Sequence, residues 1–124
     1  MLRAAQGEFR RVVVDVLVAD RDARVVPMLA RIVGESEPLG RDHDIVLETL
    51  AAMGAVGSDQ AVPALTTVIA RRGFFKRRKL RALKERGVKA LLNIGGPRAQ
   101  AALDEAGRTG DRMLKSIIAA QRSS

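Results

Sequence analysis

The chain of 124 residues contains no cysteine, no tryptophan and no tyrosine, and it has one histidine and three phenylalanines. The lack of cysteine excludes disulfides and thiolate metal sites, and it fits a reducing compartment. Because His43 is the sole histidine, no Ser-His-Asp or Cys-His arrangement can be assembled. With so few rings the core must be aliphatic, and base-stacking platforms are almost absent. We therefore expect a protein that is not an enzyme and holds no cofactor.

Long apolar runs are also lacking. No stretch approaches the length that crosses a bilayer, and the first residues lack the charged, apolar and small-residue order of a signal peptide. We expect a soluble, cytoplasmic protein. At this length the chain is predicted to form a single domain over residues 1–124, with enough chain to bury a core if its helices stack continuously.

The middle of the chain has the pattern of two amphipathic helices joined by a sharp turn. Apolar residues recur at helical spacing in the first helix, at Val46, Leu47, Leu50 and Met53. Gly54 and Gly57 are predicted to end this helix by supplying backbone freedom. Ser58 or Asp59 is predicted to cap the second helix, and Pro63 fits its first turn because that position needs no N–H donor.

This arrangement recurs in the chain. The apolar positions Leu29, Leu65 and Leu103 occupy matching places, with separations of 36 and 38 residues. Such periods are typical of helical-repeat arrays, in which each helix pair buries its apolar face against its neighbours. The sequence therefore predicts two-helix units at about residues 5–33, 41–71 and 78–108, followed by a final helix at 110–122.

The turn Ala52-Met53-Gly54-Ala55-Val56-Gly57, followed by a proline-led helix, resembles units of the HEAT family. It is most similar to the phycobilisome-lyase-type HEAT-like branch, whose units carry an Ala-Leu-Gly-x-Leu/Ile-Gly turn. Residues 90–95 match with Leu92 in place of the first glycine, and residues 16–21 lack both glycines. The resemblance implies an all-α, right-handed α-solenoid of about three HEAT-like helix pairs plus a terminal helix. It implies an armadillo-type fold and no particular activity.

The remaining helices follow from the same register. Residues 12–18 are rich in β-branched side chains, which favour a strand locally, but their place in the first unit predicts a helix. Residues 24–33 are predicted as its partner helix, and residues 80–94 as the first helix of unit three. Within that helix, Gly87 predicts a kink or a close helix contact. Residues 97–107 complete the unit.

The net charge of +8 is concentrated in one part of the chain. The stretch from Arg71 to Lys89 holds ten basic residues and one acidic residue, Glu85, and the remainder is close to neutral. The pattern predicts an interaction scaffold that binds an acidic protein segment through the basic loop at residues 71–81 and the concave face formed by the second helices of the units. The candidate partner-binding residues are Arg31, Thr67, Arg71, Arg72, Phe74, Phe75, Lys76, Arg77, Arg78, Lys79 and Arg81.

Several alternatives remain open at this point. The same cations could bind a nucleic acid or anionic membrane headgroups without sequence preference, and the chain could be a lyase-like or regulatory subunit of an enzyme. The cations could also only solvate a loop, partly neutralised by the nearby acidic loop at residues 34–42. The burial of Phe74 and Phe75 distinguishes a solvated loop from a binding site. Buried rings indicate an architectural loop, and an exposed ring indicates an anchor. A homodimer or a longer repeat array is compatible with the pattern, whereas a metal site at His43 or a small-molecule substrate is not expected.

Overall fold

The computed structural model describes residues 23–123, and within that range the chain forms six α-helices and no strand. The helices are α1 (Val26–Glu35), α2 (His43–Val56), α3 (Val62–Ile69), α4 (Arg77–Ile94), α5 (Pro97–Thr109) and α6 (Arg112–Arg122). Short 3-10 turns at Ala23–Val25 and Asp59–Ala61 lead into α1 and α3. The all-α prediction is thus confirmed for the described range. The helix predicted at 12–18 and the turn at 16–21 lie outside it.

The start of each predicted second helix carries the expected signal. A proline occupies the first turn of α1, α3 and α5, at Pro27, Pro63 and Pro97. Its fixed φ suits a helix, and the missing N–H is no loss where no intrahelical acceptor exists. The hydroxyl of Ser58 accepts a hydrogen bond from the amide of Gln60 and thereby caps the 3-10 turn that precedes α3.

Helix α4 lies at the centre of the packing. It contacts α2, α3, α5 and α6, while α1 packs on α2, α3 packs on α5, and α5 packs on α6. The three register leucines, Leu29, Leu65 and Leu103, are completely buried in one aliphatic core. Each of these leucines therefore faces inward on its helix, in α1, α3 and α5 respectively.

One predicted helix end is wrong. Gly54 lies inside α2, which continues to Val56 and is ended by Gly57 in a left-handed conformation with φ 74°. A Cβ atom at Gly54 would lie 2.8 Å from the Cα atom of Ala90, because α2 and α4 touch there. Gly87, by contrast, makes the close helix contact that was predicted for it: a Cβ atom would lie 2.5 Å from the Cγ2 atom of Ile69. Both glycines therefore set how near α4 approaches its neighbours.

Lys84 is the least expected residue of the core. It belongs to the basic stretch, yet its side chain is 1% exposed, and its ammonium group lies 3.3 Å from Oδ2 of Asp111. Oδ1 of Asp111 also accepts a hydrogen bond from the amide of Leu114 at 2.9 Å and so caps α6. A buried charge needs such a partner because the interior solvates ions poorly. The Lys84–Asp111 pair therefore links α4 to the start of α6.

The charges around Asp111 alter its affinity for protons. Burial alone raises the pKa of this carboxyl, since it disfavours the charged form. The amide of Leu114, the ammonium group of Lys84 and the guanidinium group of Arg72 together outweigh burial. The pKa of Asp111 consequently lies below its ordinary value of 3.8.

Candidate functional site

The segment between α3 and α4 exposes two aromatic rings. Phe74 is 92% exposed and Phe75 is 82% exposed, within residues 70–76, which form no regular helix. The architectural alternative required both rings to tuck under the loop, and neither does. By the criterion set out from the sequence, both phenylalanines have the exposure of anchor residues.

The start of α4 adds to the positive potential of this segment. Lys76 precedes the helix in a left-handed conformation with φ 53°, and neither its side chain nor any acidic residue caps the first turn. The first amides of a helix carry a partial positive charge, and a carboxylate normally offsets it. Here the first turn instead carries Arg77, Arg78 and Lys79. Helix end and side chains therefore present the same sign of charge.

A further arginine joins these cations from another helix. Arg112, in the first turn of α6, lies with Arg77, Arg78 and Arg81 around a shallow depression of about 500 Å³. Sequence reasoning missed Arg112 because nothing in its surroundings along the chain relates it to the start of α4. We call the full set the basic patch: Arg71, Arg72, Lys76, Arg77, Arg78, Lys79, Arg81 and Arg112.

Three members of the basic patch have protein partners. Arg72 donates to the carbonyl of Thr109 at 3.2 Å, Arg77 donates to the carbonyl of Gly73 at 3.3 Å, and Arg81 pairs with Glu85 at 3.4 Å. The other five form no side-chain hydrogen bond or ion pair with the protein in the described range: Arg71, Lys76, Arg78, Lys79 and Arg112.

Two acids of the predicted acidic loop at residues 34–42 are already paired with nearby arginines. Glu35, the last residue of α1, pairs with Arg31 at 2.9 Å, and Glu37, between α1 and α2, pairs with Arg41 at 3.0 Å. The predicted proximity of the two loops is supported by a groove whose lining includes Ser36 from the acidic loop and Arg71 from the basic patch.

That groove runs between α1 and α3 and has a volume of about 730 Å³. Its lining is mostly aliphatic or small, and comprises Ala30, Val33, Gly34, Ser36, Pro38, Ala64, Thr66, Thr67, Val68, Ala70, Arg71 and Leu83. Among the residues predicted from the sequence, Thr67 and Arg71 lie in this lining. Arg31 does not, and its guanidinium group is occupied by Glu35. We call this feature the α1–α3 groove.

His43 has a local structural role. Its ring is half-buried, and Nδ1 donates to the carbonyl of Pro38 at 2.8 Å, which fixes the acidic loop against the start of α2. Between residues 23 and 123 no group of three or more His, Asp or Glu side chains is arranged to hold a metal ion.

None of the helices described here combines the length and apolar character that a bilayer-spanning segment requires. Comparison with known proteins gave no further guide: no family model, no curated protein and no solved structure matches the chain.

Proposed function

We propose that this chain is a HEAT-like solenoid of about three right-handed helix pairs that serves as a docking module for an acidic protein segment. The packing order supports the architecture, since α2, α4 and α6 form one row of contacting helices and α3 packs on α5 in a second row. The basic patch and the two exposed phenylalanines form the docking surface. The module needs no cofactor and performs no chemistry of its own.

The observation that carries this proposal is the set of five cations without partners beside two exposed rings. Like charges at close range repel one another, and the exposure of an aromatic ring to water is unfavourable in free energy. Both features become favourable when an acidic partner neutralises the charges and covers the rings. Arginine and aromatic side chains are also the residue types that carry most of the binding energy in protein interfaces.

A second candidate is binding of anionic lipid headgroups or of a nucleic-acid backbone at the same patch. The exposure of Phe74 and Phe75 favours it, because rings flanked by cations enter the membrane interface or stack on bases. The α1–α3 groove favours the protein partner. It adjoins the basic patch at Arg71 and offers space for side chains, which neither a phosphate backbone nor a bilayer surface supplies.

Replacing two arginines that have no partner in the described range tests the docking surface. We expect Arg78→Gln combined with Arg112→Gln to weaken binding of a fluorescently labelled acidic peptide by about 5- to 10-fold, since each exposed pair contributes up to about 1 kcal/mol. Neither side chain has a partner to lose within the described range, so stability should change little. Fluorescence anisotropy at several salt concentrations measures the effect, and the slope against salt should become shallower.

The matched control is Lys89→Gln combined with Arg98→Gln, which removes the same charge from exposed positions on α4 and α5 outside the basic patch. Its affinity should stay within about twofold of the unmodified chain. Equal weakening by both double variants would mean that net charge alone drives binding and would refute a defined docking surface. Preference for DNA or for phosphatidylserine vesicles, lost in the patch variant alone, would instead establish the second candidate.

A further inference from the structure

We infer that the acidic partner segment also carries aliphatic side chains, and that these occupy the α1–α3 groove while its acidic residues meet the basic patch. This inference rests on the proposed function and specifies the partner more closely. It follows from three properties of the groove: its lining, its size and the charge at its end.

The lining selects aliphatic groups. Small residues, Ala30 and Gly34 on α1 and Ala64 on α3, leave room between the two helices. The half-buried side chains of Val33 and Val68 supply apolar surface, and the lining also includes the completely buried Leu83 of α4. A volume of about 730 Å³ lies in the range of pockets that enclose ligands, and it is enough for more than one leucine-sized side chain.

The charge at the end of the groove sets the order of the partner's residues. Arg71 is both part of the groove lining and the first cation of the basic patch, and its guanidinium group has no partner in the described range. Glu35 and Glu37, which flank the lining residue Ser36 along the chain, are each paired with a nearby arginine, so they add little repulsion. A chain that leaves the groove past Arg71 therefore enters a positive field.

Two synthetic peptides test this inference with the full chain. The first contains acidic residues and serines, and the second is identical except that two leucines replace serines at one end. Anisotropy at physiological salt should show about 10-fold tighter binding of the leucine peptide, because even partial burial of two such side chains gives that factor. The leucine advantage should disappear in Ala64→Glu, which places a carboxylate in the groove.

Three controls separate this effect from damage to the fold. Residue 64 lies in the first turn of α3, where a carboxylate interacts favourably with the helix, and the melting temperature of Ala64→Glu should confirm an intact protein. Ala64→Gln adds similar bulk without charge and should retain part of the leucine advantage. Ala101→Glu introduces the same carboxylate at an exposed position of α5 outside the groove lining and should retain all of it.

The outcomes distinguish the inference from the proposed function. If both peptides bind the unmodified chain equally, the groove is not used, and the inference is refuted while acidic docking stands. If the leucine advantage persists in Ala64→Glu, the leucines lie elsewhere, for example against Phe74, and the inference is again refuted. If neither peptide binds, the proposed function itself fails and the inference fails with it.

Discussion

Asp111→Ala is expected to lower the free energy of unfolding by about 2–3 kcal/mol, because it removes the partner of a buried ammonium group, and the 26% exposure of the Asp111 side chain keeps the loss below that of a fully buried ion pair. The substitution leaves the ammonium group of Lys84 buried without its carboxylate, and it removes the acceptor for the amide of Leu114. Urea denaturation monitored by circular dichroism measures the loss. An effect below about 1 kcal/mol would show that water reaches the ammonium group of Lys84 in solution.

Two variants establish the cause. Asp104→Ala removes an acid whose side chain is 70% exposed and which pairs with Arg122, so it should cost no more than about 1 kcal/mol. Lys84→Met combined with Asp111→Ser replaces the pair by an apolar side chain and a neutral cap, and it should recover most of the lost stability. Failure of this double variant to recover would assign the loss to packing around residue 111 and not to the stranded charge.

The same pair predicts a pH dependence. The pKa of Asp111 is lower in the folded protein than its ordinary value of 3.8, so the folded state binds fewer protons at this group than the unfolded state does. Its contribution to stability is complete above about pH 4–5 and is lost as the pH falls through the folded value. Asp111→Asn keeps a cap acceptor without the charge. The stability difference between the unmodified chain and this variant should therefore shrink between pH 6 and pH 3, and a constant difference would contradict the assignment.

The second large effect concerns the contact between α2 and α4. Gly54→Val should destabilise the protein by about 2–3 kcal/mol, because a Cβ atom there would meet the backbone of Ala90 and the added methyl groups must push the helices apart. The matched control is Gly107→Ala in α5, where no atom lies within 4 Å of an added Cβ. Alanine favours a helix over glycine, so this control should gain about 0.5–1 kcal/mol.

A loss of stability in Gly54→Val and a gain in Gly107→Ala would establish that the helix contact, and not helix propensity, determines the effect at Gly54. Thermal and urea unfolding of both variants give the comparison. A Gly54→Val protein as stable as the unmodified chain would mean that α2 and α4 can separate without cost, which is incompatible with the close packing at Ala90.

The sequence predicted the helices well because their signals are local. Prolines in the first turns and apolar residues at helical spacing identify α1, α3 and α5 without knowledge of their neighbours, and Leu29, Leu65 and Leu103 are buried as that spacing requires. Gly54 was misassigned because a helix end and a close helix contact both favour glycine. The choice between them depends on Ala90, which belongs to a different helix.

In the candidate site, too, local features could be predicted from the sequence and features that depend on contacts between helices could not. The cations and the two phenylalanines of residues 71–81 were identified as candidates from the sequence, but the sequence left open whether the rings are buried, and the structure places both at the surface. Lys84 and Arg112 could not be assigned correctly from the sequence, because each depends on how α6 packs on α4. The α1–α3 groove could not be predicted from the sequence either, because its volume depends on the space between helices and not on any one segment.

The position of residues 70–76 has a consequence for how the chain could be divided. This exposed segment separates α1–α3 from α4–α6 along the chain, and its basic residues match the preference of trypsin-like proteases. A single cut there would not release two independent pieces, because α2 and α3 pack against α4, and α3 packs against α5, across the cut. The nicked protein should therefore hold together as a complex of two fragments, which size-exclusion chromatography of the cut chain would show as a single species.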